Sequence, residues 1–165
     1  MFSFQRRHLL AAFSASWLSV VLSKVAHAAT HVLPTSTSLK TDLEAALKSS
    51  KPLVVLVSLD NCPFCKIARE NYLISLMAER AISVIQVNTN HATSIDDALG
   101  KRTTHAQLIR IWAIKVTPTV LFLGKNGREV APRLEGGSTS DFYGAYLDER
   151  LRTAQAAIAR DSGIS

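Results

Sequence analysis

Residues 52–73 decide the fold, and they read PLVVLVSLDNCPFCKIARENYL. The first seven of these residues are mostly Val and Leu, a continuous apolar run that predicts a strand buried on both faces. The residues that follow Cys65 carry apolar side chains at helical spacing and predict an amphipathic helix. Cys62 and Cys65 are the two cysteines of the chain. The stretch therefore predicts a dithiol at the point where a strand passes into a helix.

The position of the dithiol favours redox chemistry. A helix N-terminus presents unpaired N–H groups and a positive dipole end, and both stabilise a thiolate, so we expect Cys62 to be the attacking sulfur. Pro63 fits the first helical turn and stiffens the two-residue link between the cysteines. Phe64 is the second residue of that link. Cys65 lies one turn deeper and is expected to be the resolving thiol. A structural disulfide would usually close a longer loop.

Two other interpretations of the cysteine pair stay open. Zinc sites that begin with Cys-x-x-Cys need two further ligands, and the chain has no second cysteine pair. His31, His91 and His105 are not at ligand spacing, so no metal is predicted. A Cu(I) carrier remains an alternative because soft sulfur suits that ion, and an inert structural bridge is the other.

Residues 1–28 have the pattern of a signal peptide. Arg6 and Arg7 precede an apolar stretch over residues 9–22, and Ala26-His27-Ala28 supplies the small residues of a cleavage site. We expect cleavage after Ala28 and export to a bacterial periplasm by the general secretory or the twin-arginine route. An uncleaved membrane anchor is the alternative. The periplasm is held oxidising, so a dithiol there belongs to a redox circuit.

The rest of the chain is expected to form one domain. We predict a flexible lead-in at 29–38, a domain at 39–160 and a tail at 161–165. The net charge of +6 falls to +3 without the three cations of the signal peptide. No stripe of basic and aromatic residues is present, so nucleic acid is not expected as a partner.

The expected elements alternate between helix and strand. In chain order they are a helix at 39–48, a strand at 54–57, a helix to about residue 80, a strand at 81–87, a polar connection at 88–104, a short helix at 108–113 with Trp112 on the core, a hairpin of 119–123 with 128–130, and a final helix capped at 138–141 and ending near residue 159. The inward face of this final helix is expected to hold Phe142, Tyr146, Leu147 and Leu151.

This order resembles the thioredoxin-like superfamily over about residues 39–159. The resemblance rests on Cys-Pro-Phe-Cys after the first strand, on Val116-Thr117-Pro118-Thr119 before an apolar strand, and on the turn Gly124-Lys125-Asn126-Gly127. It implies an α/β fold with a central mixed β-sheet flanked by helices. It also implies a cis Thr117–Pro118 bond that lies against Cys62 and exposes the backbone of Thr117 to a substrate strand.

The chain departs from thioredoxins proper in its active-site sequence. Those proteins carry Trp-Cys-Gly-Pro-Cys and a buried Asp six residues before the first cysteine, whereas this chain has Asn61 and Leu56 at those two positions. Asp60, Lys66 and water are the candidates to replace the buried proton acceptor, and Asp60 is equally explained as a carboxylate at the start of a helix. Cys-Pro-Phe-Cys is similar to glutaredoxin sites, although Thr-Pro replaces their Val-Pro. The periplasmic thioredoxin-like group, including SoxW-like proteins, is the most similar subgroup we can name.

The resemblance implies a periplasmic thiol–disulfide oxidoreductase that needs no cofactor. Cys62 and Cys65 would be catalytic, supported by Pro63, Phe64, Thr117 and Pro118. We expect a monomer that reduces disulfides in exported proteins and receives electrons from a membrane donor of the DsbD type. A disulfide-donating oxidase and a Cu(I)-binding or adaptor protein on the same fold are the alternatives.

Two surface features have more than one interpretation. Residues 88–104 form either a docking loop for a partner or a solvated excursion. Arg69, Arg102 and Arg110 are candidates for steering acidic partners, although isolated surface charges usually have no specific effect.

Overall fold

The computed structural model describes residues 32–89, 92–137 and 142–163. The predicted signal peptide, the predicted caps at 138–141 and the last two residues of the tail lie outside these ranges. Within the described ranges, no helix has the length and apolar character needed to cross a membrane.

A four-stranded mixed sheet in the order β2-β1-β5-β6 forms the centre of the molecule. Its strands are β1 (Leu53–Ser58), β2 (Val84–Asn88), β5 (Thr119–Leu123) and β6 (Leu134–Glu135), and β3 (Ser94–Asp96) and β4 (Arg102–Thr104) form a separate hairpin. β1 pairs in parallel with β2 and antiparallel with β5, which pairs antiparallel with β6. Every residue of β1 is buried, as its continuous apolar run predicts.

Helices cover both faces of this sheet. One face packs against α1 (Leu39–Lys48) and α4 (His105–Ile111), and the other against α2 (Pro63–Ala68), α3 (Ile74–Arg80) and α5 (Tyr143–Asp161). Successive residues of β1 alternate between the faces, so that Leu56 packs towards α5 and Val57 towards α1. The predicted mixed sheet with flanking helices is confirmed.

The helix that follows the cysteines continues to Arg80 as expected, but it contains a π-helical turn that we did not predict. A π-helical turn at Arg69–Leu73 separates α2 from α3. Such a turn adds a residue to the helix and so shifts the phase of its faces. After α3, Ala81 takes a left-handed conformation (φ 49°) that ends the helix. β2 consequently begins at Val84, three residues later than predicted.

Residues 33–38 do not form the flexible lead-in that we expected. The N–H of Gln86 donates to the carbonyl of Pro34 at 2.7 Å, and the N–H of Ser36 donates to the carbonyl of Gln86 at 3.2 Å. Leu33 and Ser36 are both buried. The segment therefore lies beside β2 and extends the sheet at that edge.

The connection between β2 and α4 contains the β3–β4 hairpin, which sequence analysis did not predict. Ile95 of β3 is fully buried against the α1 side of the core. The predicted short helix is present as α4, but it begins at His105 because the hydroxyl of Thr104 accepts the N–H of Gln107 and caps it there. Trp112 packs against the core, as expected.

The predicted pairing of 119–123 with 128–130 is present: Val130 donates its N–H to the carbonyl of Phe122 at 2.9 Å, and Glu129 bridges to Leu123. The chain then continues to β6, a strand that was not predicted and that also pairs with β5. The predicted inward face of α5 was wrong in part. In α5 the buried face consists of Tyr143, Leu147, Leu151, Ala154 and Ile158. Phe142 and Tyr146, predicted to point inward, are 64% and 49% exposed.

Candidate active site

The two cysteines lie at the N-terminus of α2, directly beyond the carboxyl end of β1. They are joined by a disulfide with their Cα atoms 5.2 Å apart. Cys62 is the N-cap residue, and its Sγ accepts the N–H of Cys65 at 3.1 Å. Pro63 occupies the first helical turn, where it removes no helical hydrogen bond. The helix terminus therefore presents a backbone donor directly to the sulfur of Cys62.

The two sulfurs differ in their access to solvent. Cys65 is completely buried, whereas Cys62 is partly exposed. Phe64, between them, has 44% of its surface exposed. A dissolved partner can therefore reach Cys62 and cannot reach Cys65.

A second loop closes the site from the side of β5. The Thr117–Pro118 peptide bond is cis. The hydroxyl of the buried Thr119 donates to the carbonyl of Val116 at 2.9 Å and so ties the two ends of this loop together. Among the described residues, no backbone hydrogen bond involves Thr117.

Gly137 joins this loop to the cysteine loop. A Cβ atom at Gly137 would lie 2.5 Å from the Cβ of Phe64 and 3.3 Å from the Cδ of Pro118. The neighbouring Gly136 donates its N–H to the carbonyl of Pro118 at 2.8 Å. The absence of a side chain at 137 thus lets the β6–α5 connection pack against both loops. Gly137 was not predicted, and only the fold reveals the contact.

Two depressions flank the cysteine loop. The first, which we call the Cys62 groove, is an open groove of about 630 Å³ lined by Cys62, Ser58, Asp60, Lys66 and Arg69, among others. The second, the Thr117 cleft, has a volume of about 210 Å³ and lies between Leu59 and residues 114–117. Of the site residues predicted from the sequence, Cys62 and Pro63 line the Cys62 groove, Thr117 lines the Thr117 cleft, and Phe64 and Pro118 both lie next to Gly137.

Leu56 is fully buried at the position where thioredoxins carry their acidic residue. The polar groups of this face begin beside it: Gln86 is the partner of Leu56 on β2, and Ser58 and Asn88 form the next pair on the same face. Arg69 donates to Gln86 Oε1 at 2.9 Å and to Ser58 Oγ at 3.4 Å, and Gln86 Nε2 donates to Asn88 Oδ1 at 2.6 Å. Asp60 and Lys66, proposed as replacements for the acid, line the groove above this network.

The hydrogen bonds that link Arg69, Gln86 and Asn88 continue to His105, a residue that sequence analysis did not place near the active site. His105 is completely buried. The N–H of Asn88 donates to its Nδ1 at 3.3 Å, so Nε2 carries the proton and donates to the carbonyl of Ser36 at 2.9 Å. The alternation of Gln86 and Asn88 along a strand that is otherwise apolar was the one available signal of a buried polar region.

Burial affects one titratable group next to the site. Tyr143 lines a small apolar cavity with Phe64 and Gly137. Desolvation, and to a smaller extent the neighbouring Tyr72 at 4.9 Å between ring centroids, raises the pKa of Tyr143 to about 12. Within the described part of the chain, the buried hydroxyl of Tyr143 has no hydrogen-bond partner.

Comparison with known proteins agrees with this geometry. Residues 39–150 match the family model for the thioredoxin-like domain. A thioredoxin-fold protein from Helicobacter pylori superposes with a TM-score of 0.50 at 19% identity, covering 84% of this chain and 97% of that one. A sequence comparison with curated proteins gave no match.

Two further solved structures give lower scores. Thioredoxin from Fasciola hepatica gives a TM-score of 0.49 at 18% identity, covering 73% of this chain and 97% of that one. Trxlp from Edwardsiella tarda gives 0.47 at 26% identity, covering 72% and 95%. On the match of the family model and the disulfide-forming pair at the start of α2, the chain belongs to the family of thioredoxin-like domains and is a thiol–disulfide oxidoreductase.

Proposed function

We propose that this protein reduces disulfides in exported proteins of the bacterial periplasm. The thiolate of Cys62 attacks a substrate disulfide and forms a mixed disulfide, and the displaced substrate sulfur takes up a proton. The thiolate of Cys65 then attacks Cys62 Sγ, and the second substrate sulfur leaves. Two electrons have passed to the substrate, and the Cys62–Cys65 disulfide has formed.

The observation that carries this proposal is the difference between the two sulfurs. Cys62 is accessible and accepts a helix N-terminal N–H, which stabilises a thiolate. Cys65 is buried and three residues away, so it is able to attack Cys62 and is shielded from external disulfides. This arrangement supports Cys62 as the nucleophile and Cys65 as the resolving thiol.

The surroundings of Cys62 support a polypeptide substrate. Thr117 has a backbone that no other described residue pairs with, so an extended segment could pair with it as an added strand. Phe64, Ile67 and Val116 each expose between 42% and 46% of their surface. Pro63, Phe64, Thr117 and Pro118 would thus position a disulfide-bearing segment over Cys62.

The place of action rests on the sequence of residues 1–28, which has the charge and apolar pattern of a signal peptide. We therefore propose that the mature protein acts in the periplasm, and we expect it to be a monomer. In an oxidising compartment a reductant needs a source of electrons, and a membrane protein of the DsbD type would supply them. Fractionation of cells that express the tagged full chain tests this placement, and retention in the cytoplasm would contradict it.

The direction of electron flow is tested by the reduction potential of the Cys62–Cys65 pair, measured by equilibration with glutathione buffers. We expect a value near the roughly −270 mV of thioredoxin. A value near the roughly −120 mV of the strong periplasmic oxidant would overturn reduction and favour disulfide donation.

A further inference from the structure

Arg69 differs from the other candidate steering cations in its surroundings. Arg102 forms an ion pair with Asp96 at 3.0 Å, and Arg110 donates to Gln107 on the exposed surface of α4. Arg69 is half-buried beside the active site, and its two hydrogen-bond acceptors, Gln86 and Ser58, are both neutral.

The guanidinium of Arg69 is held in place without a compensating charge. Gln86, which accepts its Nε–H, is itself fixed by Asn88. Among the described residues, no carboxylate forms an ion pair with Arg69. A charge that is partly removed from water and lacks a counter-charge is unfavourable, and an anion placed next to it removes this penalty.

The Cys62 groove places this charge on the approach to the reactive sulfur. Lys66 and Arg69 line the groove together with Cys62, and Asp60 is the acidic residue that lines it. In the reduced protein these two cations offset the charges of Asp60 and the Cys62 thiolate, so an incoming anion is attracted by its direct contact with Arg69 rather than by the net charge of the groove. A disulfide that enters the groove with an anionic group close to its sulfur would meet a complementary charge.

We propose that the Cys62 groove selects disulfides that carry a carboxylate next to the sulfur attacked by Cys62. This inference rests on the proposed function and specifies its substrate class. Arg69 acts as the fixed anchor for the carboxylate, and Lys66 adds attraction from the groove rim. The exchange itself is the one given above, with the carboxylate unchanged by the reaction.

The test is the rate at which the reduced protein is oxidised by three small disulfides of different charge. The probes are 3,3′-dithiodipropionate (anionic), bis(2-hydroxyethyl) disulfide (neutral) and cystamine (cationic). Each rate is divided by the rate of the same disulfide with dithiothreitol, which removes differences in intrinsic reactivity. We expect the anionic probe to be favoured over the neutral one by about tenfold, the effect of one charge-assisted hydrogen bond.

The variants separate substrate binding from a general effect on the sulfur. Arg69→Gln should abolish most of this preference, Lys66→Gln should reduce it, and Arg110→Gln, which makes the same charge change on the opposite face of the sheet, should leave it intact. If Arg69→Gln lowers all three rates equally, Arg69 acts on the Cys62 thiolate and the inference is wrong. If no disulfide oxidises the wild-type protein, the proposed function itself fails.

Salt dependence of the wild-type protein provides a test that needs no variant. The rate with the anionic probe should fall as ionic strength rises, while the neutral probe should show no change. Equal salt dependence for both would overturn the inference. Two peptide disulfides, one with Glu and one with Gln beside the cysteine, then show whether the carboxylate belongs to a protein or to a small molecule. A faster reaction with the Glu peptide assigns it to protein substrates. If the protein discriminates only among the three small probes, the carboxylate is assigned to low-molecular-weight disulfides.

Discussion

The two faces of the central sheet are built differently at the end that carries the active site. On the face covered by α1 and α4, the side chains of β1 remain apolar as far as Val57. On the face covered by α2 and α5, Leu56 is the last apolar residue of β1, Gln86 lies beside it on β2, and Ser58 and Asn88 follow. Cys62 and Arg69 lie directly above this polar region.

The difference shows how the fold separates stability from chemistry. The apolar residues on both faces of the sheet, which on the α2 and α5 face extend along β1 as far as Leu56, hold the sheet and the helices together. The polar groups occupy the position where the core ends, and they hold Arg69 next to the dithiol. His105 extends the polar region around the edge of β2 and ties it to residues 34–36. Substitutions in the two kinds of region should therefore have different consequences.

The largest expected effect on stability comes from His105→Leu. The substitution leaves the N–H of Asn88 and the carbonyl of Ser36 buried without partners, at roughly 1–3 kcal/mol each. We expect the free energy of unfolding to fall by about 2–6 kcal/mol in urea denaturation. Gln107→Ala, on the exposed side of the same helix, serves as the control and should change it little. A His105→Leu protein as stable as the wild type would show that the polar region is not held by this residue.

Tyr143→Phe should change the stability at alkaline pH. The pKa of Tyr143 is raised to about 12 from 10.0, so the unfolded state loses this proton first. Stability from this group is fully present below about pH 10 and is lost as the pH rises through 12. The wild type should lose roughly 2–3 kcal/mol over that range relative to Tyr143→Phe.

At neutral pH the same substitution should be neutral or stabilising, because it removes a buried hydroxyl that has no partner in the described residues. Urea denaturation at pH 7 and at several values above pH 10 measures both effects. Parallel loss of stability by the two proteins above pH 10 would contradict the assignment.

Gly137→Ala should impair activity more than stability. Its Cβ would lie 2.5 Å from that of Phe64, so the cysteine loop must shift. We expect kcat/KM for insulin reduction to fall about tenfold, or about 1.4 kcal/mol in transition-state free energy. Phe64→Ala and the double variant complete a cycle. The two changes should be non-additive, because the contact is absent in the double variant, and strict additivity would rule the contact out.

The smallest effect is expected at the exposed surface between α3 and α5, on the face of the sheet that also carries α2. Arg80 and Asp148 form an ion pair at 2.6 Å, with 49% and 43% of their side chains exposed. Asp148→Asn should lower the free energy of unfolding by less than about 1 kcal/mol. A loss comparable to that of His105→Leu would mean that surface charge, rather than the buried polar region, dominates this face.

The sequence was sufficient for the features that depend on local patterns. The apolar run before Cys62 predicted β1, and the Cys-x-x-Cys spacing predicted the disulfide-forming pair. The polar region was not predicted, because the contact between His105 and Ser36 joins residues 69 positions apart. No local pattern reports such a contact.

The errors in the C-terminal part have local causes. In α5 the buried positions repeat at helical spacing, at 143, 147, 151, 154 and 158. The large apolar side chains of Phe142 and Tyr146 each precede one of these positions, and they led us to predict an inward face shifted by one residue. In the hairpin, the turn at 124–127 and the pairing of 128–130 were predicted, but β6 was not, because a strand of two residues is too short to show an alternating pattern. The π-helical turn at Arg69–Leu73 has no sequence signal that we recognise.

The most direct test of the central assignment is capture of a mixed disulfide by single-cysteine variants. Reduced Cys65→Ser and Cys62→Ser proteins are mixed with a disulfide-containing protein such as insulin, and the adducts are separated without reductant. We predict a stable adduct through Cys62 in the Cys65→Ser protein and none in the Cys62→Ser protein, whose remaining sulfur is buried. Adduct formation through Cys65, or turnover by the Cys62→Ser protein, would contradict the account.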